Sequence, residues 1–401
     1  MTSRPLHLDV VIIGGGVAGL WLLNRLRQRG YSAVLLESGA LGNGQSIHAQ
    51  GIIHGGVKYG LDGSGSAAAN ALAAMPEVWR ECLDGNGEVD LRACRMVSEY
   101  VLLCAPAQSA ARLAGAFASS VLQSQVTRLT PQQYPPSLRR PTARGAVYRL
   151  EEPVLDPASL IAALASPHRD AIRAIDWARA TLQRQDARAS IELPGCSLRP
   201  RVLLLTAGVG NESLINTLGG QVPAMRRRPL QQVMLCHPGL TPLFAHFLGS
   251  AAAPRLSITS HLRQDGALVW YLGGELANSG VGCEPAALIS HAQAELRALL
   301  PSLDLRDAEW STFNVERAEA EPRRLGRPNG AYLGAVGSVD NALAAWPVKL
   351  ALCPELGHKV EKALIERGVL PHHPQDLSAL PLAPAPALAR PCWDDPRSWA
   401  G

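Results

Sequence analysis

Three glycines near the N-terminus, followed by an acidic residue, form the group in this chain best suited to binding a ligand. Gly14, Gly16 and Gly19 have the spacing G-x-G-x-x-G, and Glu37 lies 18 residues after Gly19. The first glycine of such a motif permits a tight turn, the second lets the backbone approach a pyrophosphate, and the third lets a helix pack on a strand. A carboxylate at this distance suits a ribose hydroxyl rather than a 2′-phosphate. The motif therefore predicts a site for FAD or NAD, not NADP.

The residues around these glycines predict the elements that must hold them. Residues 10–13 form an apolar run typical of a buried strand, and residues 33–36 form a second one. Between them, Leu20, Leu23 and Leu26 recur at helical spacing. A phosphate would then lie at the helix N-terminus, where free N–H groups and the helix dipole favour anions.

Two later segments have composition suited to a ligand site. Residues 38–66 are dense in glycine, which lets backbone lie close to a flat ligand, although a surface loop is the alternative. The potentially reactive side chains of this segment are His48, His54, Lys58 and Tyr59. Residues 201–210, RVLLLTAGVG, read as a parallel strand that ends in a small turn beside a ligand. Because this strand comes late in the chain, we expect the dinucleotide-binding domain to be discontinuous.

Composition limits the function classes. The chain has 401 residues, 47% of them hydrophobic, and a net charge of +4, which permits one large or two medium domains. The longest basic run, Arg226, Arg227 and Arg228, is too short to indicate nucleic acid. The eight cysteines contain no C-x-x-C, so we predict no metal site and no dithiol centre. With no apolar segment of transmembrane length and no signal peptide, we expect a cytoplasmic protein without an integral membrane segment.

Three segments together resemble the D-amino-acid-oxidase-like (DAO) superfamily of FAD-dependent oxidoreductases. They are the N-terminal motif with Glu37, SIHAQGIIHGGVKY at residues 46–59, and LLLTAGVGNESL at residues 203–214. HGGVKY in particular is similar to a stretch of glycerol-3-phosphate dehydrogenases, and the motifs look closest to those enzymes and to 2-hydroxyglutarate oxidases. The resemblance covers about residues 8 to 368.

The resemblance implies that the cofactor is FAD and that several segments contact it. The residues implied to bind it are Gly14, Gly16, Gly19, Glu37, Ser46, His48, Gly51, Gly55, Ala207, Gly208, Lys349 and Leu350. Family members usually have a Gly-rich turn before the last helix, where this chain has AWPVKL at residues 345–350. In the family that turn donates backbone N–H groups to the pyrimidine oxygens of the flavin. Lys349 either takes over this role with its positive charge or is a surface lysine.

Two residues match positions at which relatives attach FAD covalently. SIHAQG has the spacing of the T-x-H-x-x-G segment of dimethylglycine and sarcosine dehydrogenases, which implies possible attachment through His48. Cys353 lies near the place where monomeric sarcosine oxidases carry a flavinylated cysteine.

The family chemistry is hydride transfer to the flavin from a carbon that bears an amine or a hydroxyl. Arg317 is the first choice for holding an anionic substrate, since arginine offers a planar fork, or it belongs to a surface charge network. Arg323 and Arg324 are alternatives for that role. His54 is the candidate proton acceptor, or it packs against the flavin. Lys58 and Tyr271 are further candidates to face substrate, with a core position as the alternative for Tyr271.

The predicted fold class is α/β, with a discontinuous Rossmann-type FAD-binding domain and an α+β substrate domain with a mainly antiparallel sheet. The FAD-binding domain is predicted to comprise residues 1–90, 150–222 and 318–370, and the substrate domain residues 91–149 and 223–317. Residues 371–401 form a Pro-rich tail, which we expect to be an extended or disordered arm.

The predicted function is FAD-dependent oxidation of a small anionic substrate, namely a 2-hydroxy acid, a polyol phosphate or an amino acid. Oxygen, a quinone or a partner protein would reoxidise the flavin. One alternative is oxidation of a secondary amine or N-alkyl amino acid. The other is a non-catalytic FAD-containing subunit of a larger dehydrogenase.

Overall fold

The structure, a computed structural model, describes residues 4–56, 72–107, 109, 126–139, 145–249, 254–321, 330–337, 339–371, 377, 380 and 382–399. Lys58, Tyr59, Arg323 and Arg324 lie outside the described residues. The strands are β1 (Arg4–Ile13), β2 (Ala33–Glu37), β3 (Met96–Ser98), β4 (Val101–Pro106), β5 (Val126–Arg128), β6 (Gly145–Leu150), β7 (Val154–Leu155), β8 (Ile172–Ala174), β9 (Thr181–Gln185), β10 (Arg188–Leu193), β11 (Cys196–Leu205), β12 (Met225–Cys236), β13 (Ala245–Phe247), β14 (Leu256–Leu262), β15 (Leu268–Gly273), β16 (Glu309–Ala320), β17 (Tyr332–Ala335), β18 (Ala342–Trp346) and β19 (Ala383–Pro384). The α-helices are α1 (Val17–Gln28), α2 (Met75–Leu83), α3 (Pro157–Ala165), α4 (Asn211–Thr217), α5 (Glu275–Ser279), α6 (Pro285–Leu299) and α7 (Cys353–Glu366).

The first sheet has a parallel centre. Its order is β17-β18-β11-β1-β2-β8-β19, with β9 and β10 joined to it through β11. β1 is parallel to both of its neighbours, with Val10 opposite Val202 on one side and Ala33 on the other. The apolar run at residues 10–13 is almost completely buried, as is typical of a parallel sheet that helices cover on both faces.

Helices of the first sheet begin where the sequence predicts. Helix α1 starts at Val17 directly after Gly16, and Leu20 and Leu23 on its predicted apolar face are fully buried. Helix α3 has Asp156 as its N-cap, whose carboxylate accepts the Ser159 N–H at 2.9 Å. The start of α3 depends on local chemistry, because the capping side chain of Asp156 satisfies an N–H group that lacks a partner within the helix, whereas α1 begins after a glycine without a side-chain cap of its own.

The second sheet is mainly antiparallel. Its order is β16-β12-β15-β14-β13-β4-β6-β5, and the pair β13 and β4 is parallel while every other neighbouring pair is antiparallel. Helix α6 contributes Leu288, Ala292 and Leu296 to the core of this sheet. Their four-residue spacing places them on one face of the helix. The predicted fold class, a Rossmann-type sheet combined with a mainly antiparallel one, is confirmed.

The strands modify the predicted domain boundaries in two places. β16 continues to Ala320 as a strand of the second sheet, so a boundary between residues 317 and 318 would cut it. β19, from the predicted tail, pairs with β8 of the first sheet. We retain the division into two domains as a proposal with these changes.

The C-terminal segment packs against both sheets. The Ala389 N–H donates to the Leu41 carbonyl at 2.9 Å, beside the first sheet. Farther along, Trp393 is 1% exposed and stacks on His261 of β14 at a ring distance of 4.2 Å. The expectation of an extended or disordered arm is therefore wrong for residues 382–399. The prediction considered only the Pro-rich composition of this segment and not Trp393, whose burial contributes a large apolar area.

No helix within the described residues has both the length and the apolar composition that crossing a bilayer requires.

Candidate active site

A cavity of about 1160 Å³ is lined by residues of both sheets. It lies at the carboxyl ends of β1, β2, β11 and β18, where open parallel sheets bind their ligands. The predicted site residues in its wall are Gly14, Gly16, Glu37, Ser46, His48, Gly51, His54, Ala207, Gly208, Arg317, Lys349 and Leu350. Among the predicted residues that the structure describes, Gly19, Gly55 and Tyr271 are not part of this wall.

The glycines of the first turn meet different constraints. Gly14 has φ +111°, and a Cβ there would lie 2.6 Å from the backbone of Ala207. A Cβ on Gly19 would lie 2.0 Å from the Gly14 carbonyl oxygen, so this glycine lets α1 pack on the strand. A Cβ on Gly16 would meet Ser46 Oγ at 3.0 Å and would otherwise point into space. The open space at Gly16, beside the N-terminus of α1, fits a pyrophosphate.

Glu37 and Ser46 brace the same turn. One carboxylate oxygen of Glu37 accepts the Gly15 N–H at 2.6 Å, and the other accepts the Gly39 N–H at 2.7 Å. Ser46 Oγ accepts the N–H of Val17, the first residue of α1, at 3.0 Å. Both side chains also line the cavity. The carboxylate is thus held at the end of β2, where a ribose hydroxyl would meet it.

Asn211, which the sequence analysis missed, joins the end of β11 and the turn after it to the end of β18. This side chain is fully buried, and its Nδ2 donates to the carbonyls of Leu205 at 3.1 Å and Ala345 at 3.3 Å. Its Oδ1 accepts the Ala207 N–H at 2.8 Å. An asparagine immediately after a small strand-ending turn is the signal that could have identified it.

The turn that replaces the family's Gly-rich segment is strained. Val348 has φ +65°, a left-handed conformation that is unfavourable for a β-branched residue. The Lys349 N–H donates to the Pro347 carbonyl at 2.7 Å, within the turn itself. Trp346 fixes the start of the turn by donating its indole N–H to the Gly208 carbonyl at 3.1 Å. Backbone strain of this kind tends to occur at ligand sites.

His48 is held by its own loop. Its Nδ1 donates to the Gly44 carbonyl at 2.7 Å, and burial lowers the pKa of its ring. The His48 carbonyl accepts the Tyr271 hydroxyl at 2.6 Å. Tyr271 is fully buried and is not a residue of the cavity wall, which favours the alternative of a core position, and the substrate contact stays a prediction. Its hydroxyl bonds to the His48 loop because a buried phenol needs a hydrogen-bond partner.

His54 contacts two buried residues that the sequence analysis missed. Its Nδ1 lies 3.1 Å from Glu152 Oε2, and its ring lies 5.7 Å from that of His246. The other oxygen of Glu152 accepts the Gly55 N–H at 2.7 Å, so Gly55 binds this carboxylate instead of lining the cavity. The three side chains have polar atoms within 4.8 Å of one another, and the absence of a metal site stays a prediction. No sequence pattern joins them, because they come from three distant segments.

Arg317 lies in the cavity wall on β16, beside Arg228 on β12. Its Nε donates to the Arg228 carbonyl at 3.2 Å. Ion pairs of three other arginines lie close to it. Arg226 and Arg228 contact Glu319, and Arg227 bonds Glu316 and Glu212. The sequence analysis did not single out Arg228 as a cavity residue.

Cys353 also lines the cavity and is 1% exposed. Burial raises the pKa of its thiol. A raised pKa lowers the thiolate fraction, which is the form that reacts as a nucleophile.

The sequence matches the family model "FAD dependent oxidoreductase" (DAO) over residues 9–337. The chain is 43% identical over 392 residues to the probable FAD-dependent oxidoreductase PA4991 of Pseudomonas aeruginosa, covering 98% of both sequences. The crystal structure of that protein matches with a TM-score of 0.82 at 40% identity, over 98% of this chain and 99% of the other.

More distant solved structures share the fold. The structure of iminodiacetate oxidase from Chelativorans sp. BNC1 matches with a TM-score of 0.66 at 16% identity, over 95% of this chain and 100% of the other. Glycine oxidase from Geobacillus kaustophilus gives 0.66 at 17% identity, over 97% and 100%. The family match, the close relative and a cavity whose glycine turn fits a pyrophosphate together establish that this chain belongs to the DAO family of FAD-dependent oxidoreductases, with FAD as its cofactor.

Proposed function

We propose that this enzyme oxidises a small anionic substrate at a carbon that bears a hydroxyl or an amine. The substrates we propose are a 2-hydroxy acid, a polyol phosphate or an amino acid. The observation that carries the proposal is that His54 and Arg317 line the same cavity as the glycine turn. A base, a cation and a flavin-binding turn in one enclosed space are the groups that such an oxidation needs.

Arg317 is proposed to hold the anionic group of the substrate. A guanidinium offers two parallel N–H groups to a carboxylate or phosphate, and it stays charged at any physiological pH. Arg317 lines the cavity together with Arg228 of the neighbouring strand, so two guanidinium groups are present in the wall where the anionic group would bind.

His54 is proposed to take the proton that leaves the substrate heteroatom. Bound FAD supplies the acceptor for the hydride that leaves the adjacent carbon. A neutral imidazole suits the proton transfer, because its ordinary pKa lies near physiological pH. We include Gln232 and Asn314, two polar residues of the cavity wall, as candidates for further substrate contacts.

Anaerobic mixing of the purified enzyme with a substrate panel tests the proposal. Loss of flavin absorbance near ~450 nm with 2-hydroxy acids, glycerol phosphate or amino acids would support it, since that band belongs to the oxidised cofactor. Bleaching by N-methyl amino acids alone would favour the secondary-amine alternative. If no member of the panel bleaches the flavin, the proposed substrate class is wrong. Oxygen uptake measured against quinone reduction then identifies the electron acceptor.

We also propose a reducing, cytoplasmic location. All eight cysteines are free thiols, and five of them are at least mostly buried with a raised pKa: Cys82, Cys94, Cys104, Cys353 and Cys392. Free thiols in this number are typical of a compartment that keeps them reduced. Fractionation of the native cell, with detection of this chain in the cytosolic fraction, tests that location.

A further inference from the structure

Glu152 is a buried carboxylate that the roles assigned above do not use. It lies between β6 and β7 and is 3% exposed. Oε1 accepts the Gly55 N–H at 2.7 Å, and Oε2 lies 3.1 Å from His54 Nδ1. Burying a carboxylate is costly unless its oxygens receive hydrogen bonds, and here each oxygen has a partner in the segment that carries His54.

We propose that Glu152 is the positioning residue for His54, a role that rests on the proposed function in which His54 accepts the substrate proton. An ionised carboxylate only accepts hydrogen bonds, so the proton between the two groups belongs to His54 Nδ1. A neutral ring with its proton on Nδ1 keeps its lone pair on Nε2. Glu152 thereby fixes the tautomer in which Nε2 is the base. A hydrogen bond to one ring nitrogen fixes the tautomer of catalytic and metal-binding histidines in the same way.

The same contact stabilises the product of the proton transfer. The substrate O–H or N–H bond breaks, the new bond forms at His54 Nε2, and the ring becomes an imidazolium. The negative charge of Glu152, 3.1 Å from Nδ1, favours that cation. His246 is the other titratable ring in contact with His54, and its Nδ1 is 2.8 Å from Ser257 Oγ. The base thus has both a carboxylate and a second histidine as close neighbours.

Glu152→Gln is the sharpest test, because it changes the hydrogen bonding without changing the size. The Gly55 backbone can only donate, so the amide oxygen of the glutamine must face Gly55. The amide NH₂ group then faces His54 Nδ1 and forces it to accept. The ring proton moves to Nε2, and the base is lost.

We expect Glu152→Gln to lower kcat by about 10²- to 10⁴-fold, the range that general-base catalysis contributes. KM and the FAD content should stay close to wild type, because Glu152 is not in the cavity wall. Glu151→Gln is the matched control: that neighbouring carboxylate bonds Arg149 at 2.7 Å and should leave kcat unchanged. Equal kcat values for the two variants would overturn the proposal.

Nitrogen NMR of the ¹⁵N-labelled histidine ring supplies a readout that needs no substrate. The His54 signals, assigned by their loss in His54→Asn, should report a proton on Nδ1 in the wild type and on Nε2 in Glu152→Gln. The same tautomer in both proteins would refute the positioning role even if the substrate class is right. A tautomer change combined with a flavin that no panel compound reduces would instead contradict the proposed function alone.

Glu152→Asp keeps the test decisive if the glutamine variant does not fold. An aspartate still only accepts hydrogen bonds, so the Nδ1 tautomer should persist while the contact lengthens. We expect kcat to fall by about 10-fold and the NMR signature to match the wild type. A proton on Nε2 in this variant would contradict the proposal.

Discussion

The two ends of the cavity are built from different kinds of atoms. At the dinucleotide end, defined by Gly14, Gly16, Glu37 and Ser46, the backbone forms the site and glycines keep it open. At the end where we propose that the substrate binds, the wall contains side chains from four separate segments, namely His54, His246, Arg228 and Arg317, and Glu152 lies behind His54.

This difference determines how substitutions should act. At the dinucleotide end a new side chain either collides with backbone, as at Gly19, or enters the space proposed for the cofactor, as at Gly16. Cofactor binding is lost in both cases, and the fold is lost only in the first. At the substrate end a substitution removes charge or a proton acceptor while the sheets remain intact. The four predictions below test that contrast, beginning with the largest effect.

Gly19→Val should have the largest effect. Its Cβ would lie 2.0 Å from the Gly14 carbonyl oxygen and 2.7 Å from Thr206 Oγ1, so α1 would be forced off the sheet. We expect a loss of about 4 kcal/mol or more in the free energy of unfolding, together with loss of FAD. Urea denaturation followed by circular dichroism measures it. A yellow, folded protein of wild-type stability would contradict this interpretation.

Gly16→Val should remove FAD without unfolding the protein. A Cβ here meets Ser46 Oγ at 3.0 Å and otherwise enters the space proposed for the pyrophosphate. We expect the Kd for FAD to rise by about 100-fold, or roughly 2.7 kcal/mol, with an unchanged circular dichroism spectrum. Titration of the apoprotein with FAD, followed by flavin fluorescence, measures it. Gly239→Val is the matched control, since Gly239 is outside the wall and its Cβ would also meet a side-chain atom at 3.0 Å, here His237 Nδ1.

Arg317→Ala should affect the substrate and spare the cofactor. Loss of a charged hydrogen bond to an anion should raise KM by about 10- to 100-fold, with unchanged FAD content. Steady-state kinetics on the substrate found by the panel measures it. Arg227→Ala is a control on the neighbouring strand, because Arg227 is not a residue of the cavity wall and pairs with Glu212 and Glu316. Equal KM values for the two variants would place the anion-binding group elsewhere.

Val348→Gly should have the smallest effect, and it should stabilise the protein, whereas the other substitutions weaken folding or binding. Relief of the left-handed conformation at φ +65° should gain about 1–2 kcal/mol, of which the flexibility of glycine in the unfolded chain offsets about half. We expect the melting temperature to rise by about 1–2 °C in differential scanning calorimetry. Val348→Ala keeps a Cβ, so it should gain less. An equal gain in both variants would mean that strain is not the cause.

Local patterns were sufficient for the dinucleotide end. The strand, the glycine turn and helix α1 lie within one continuous segment, and Glu37 closes it. The late strand β11 was also predictable, because its apolar run ends in a turn of small residues. In the structure that turn lies beside Gly14. The start of α3 is local in the same way, because Asp156 caps the helix and Pro157 is its first residue.

Distant contacts decide what local patterns could not predict. The buried side chain of Tyr271 on β15 points toward the His48 loop and not into the cavity. The position of Tyr271 in the sequence does not reveal that direction. Trp393 lies in a Pro-rich stretch and becomes a core residue through contact with His261 on another strand. The environment of each of these two side chains depends on which segment packs against it, and the composition of the sequence does not contain that information.

The sequence by itself determined the flavin-binding turn, the parallel sheet that supports it and the family, because backbone chemistry at a strand-to-helix turn is encoded by neighbouring residues. Only the tertiary structure brought Glu152 and His246 to His54 and placed Arg317 in the cavity wall beside Arg228. A side-chain hydrogen bond requires atoms within about 3 Å. Residues separated by about a hundred positions reach that distance only after two sheets have formed and packed together.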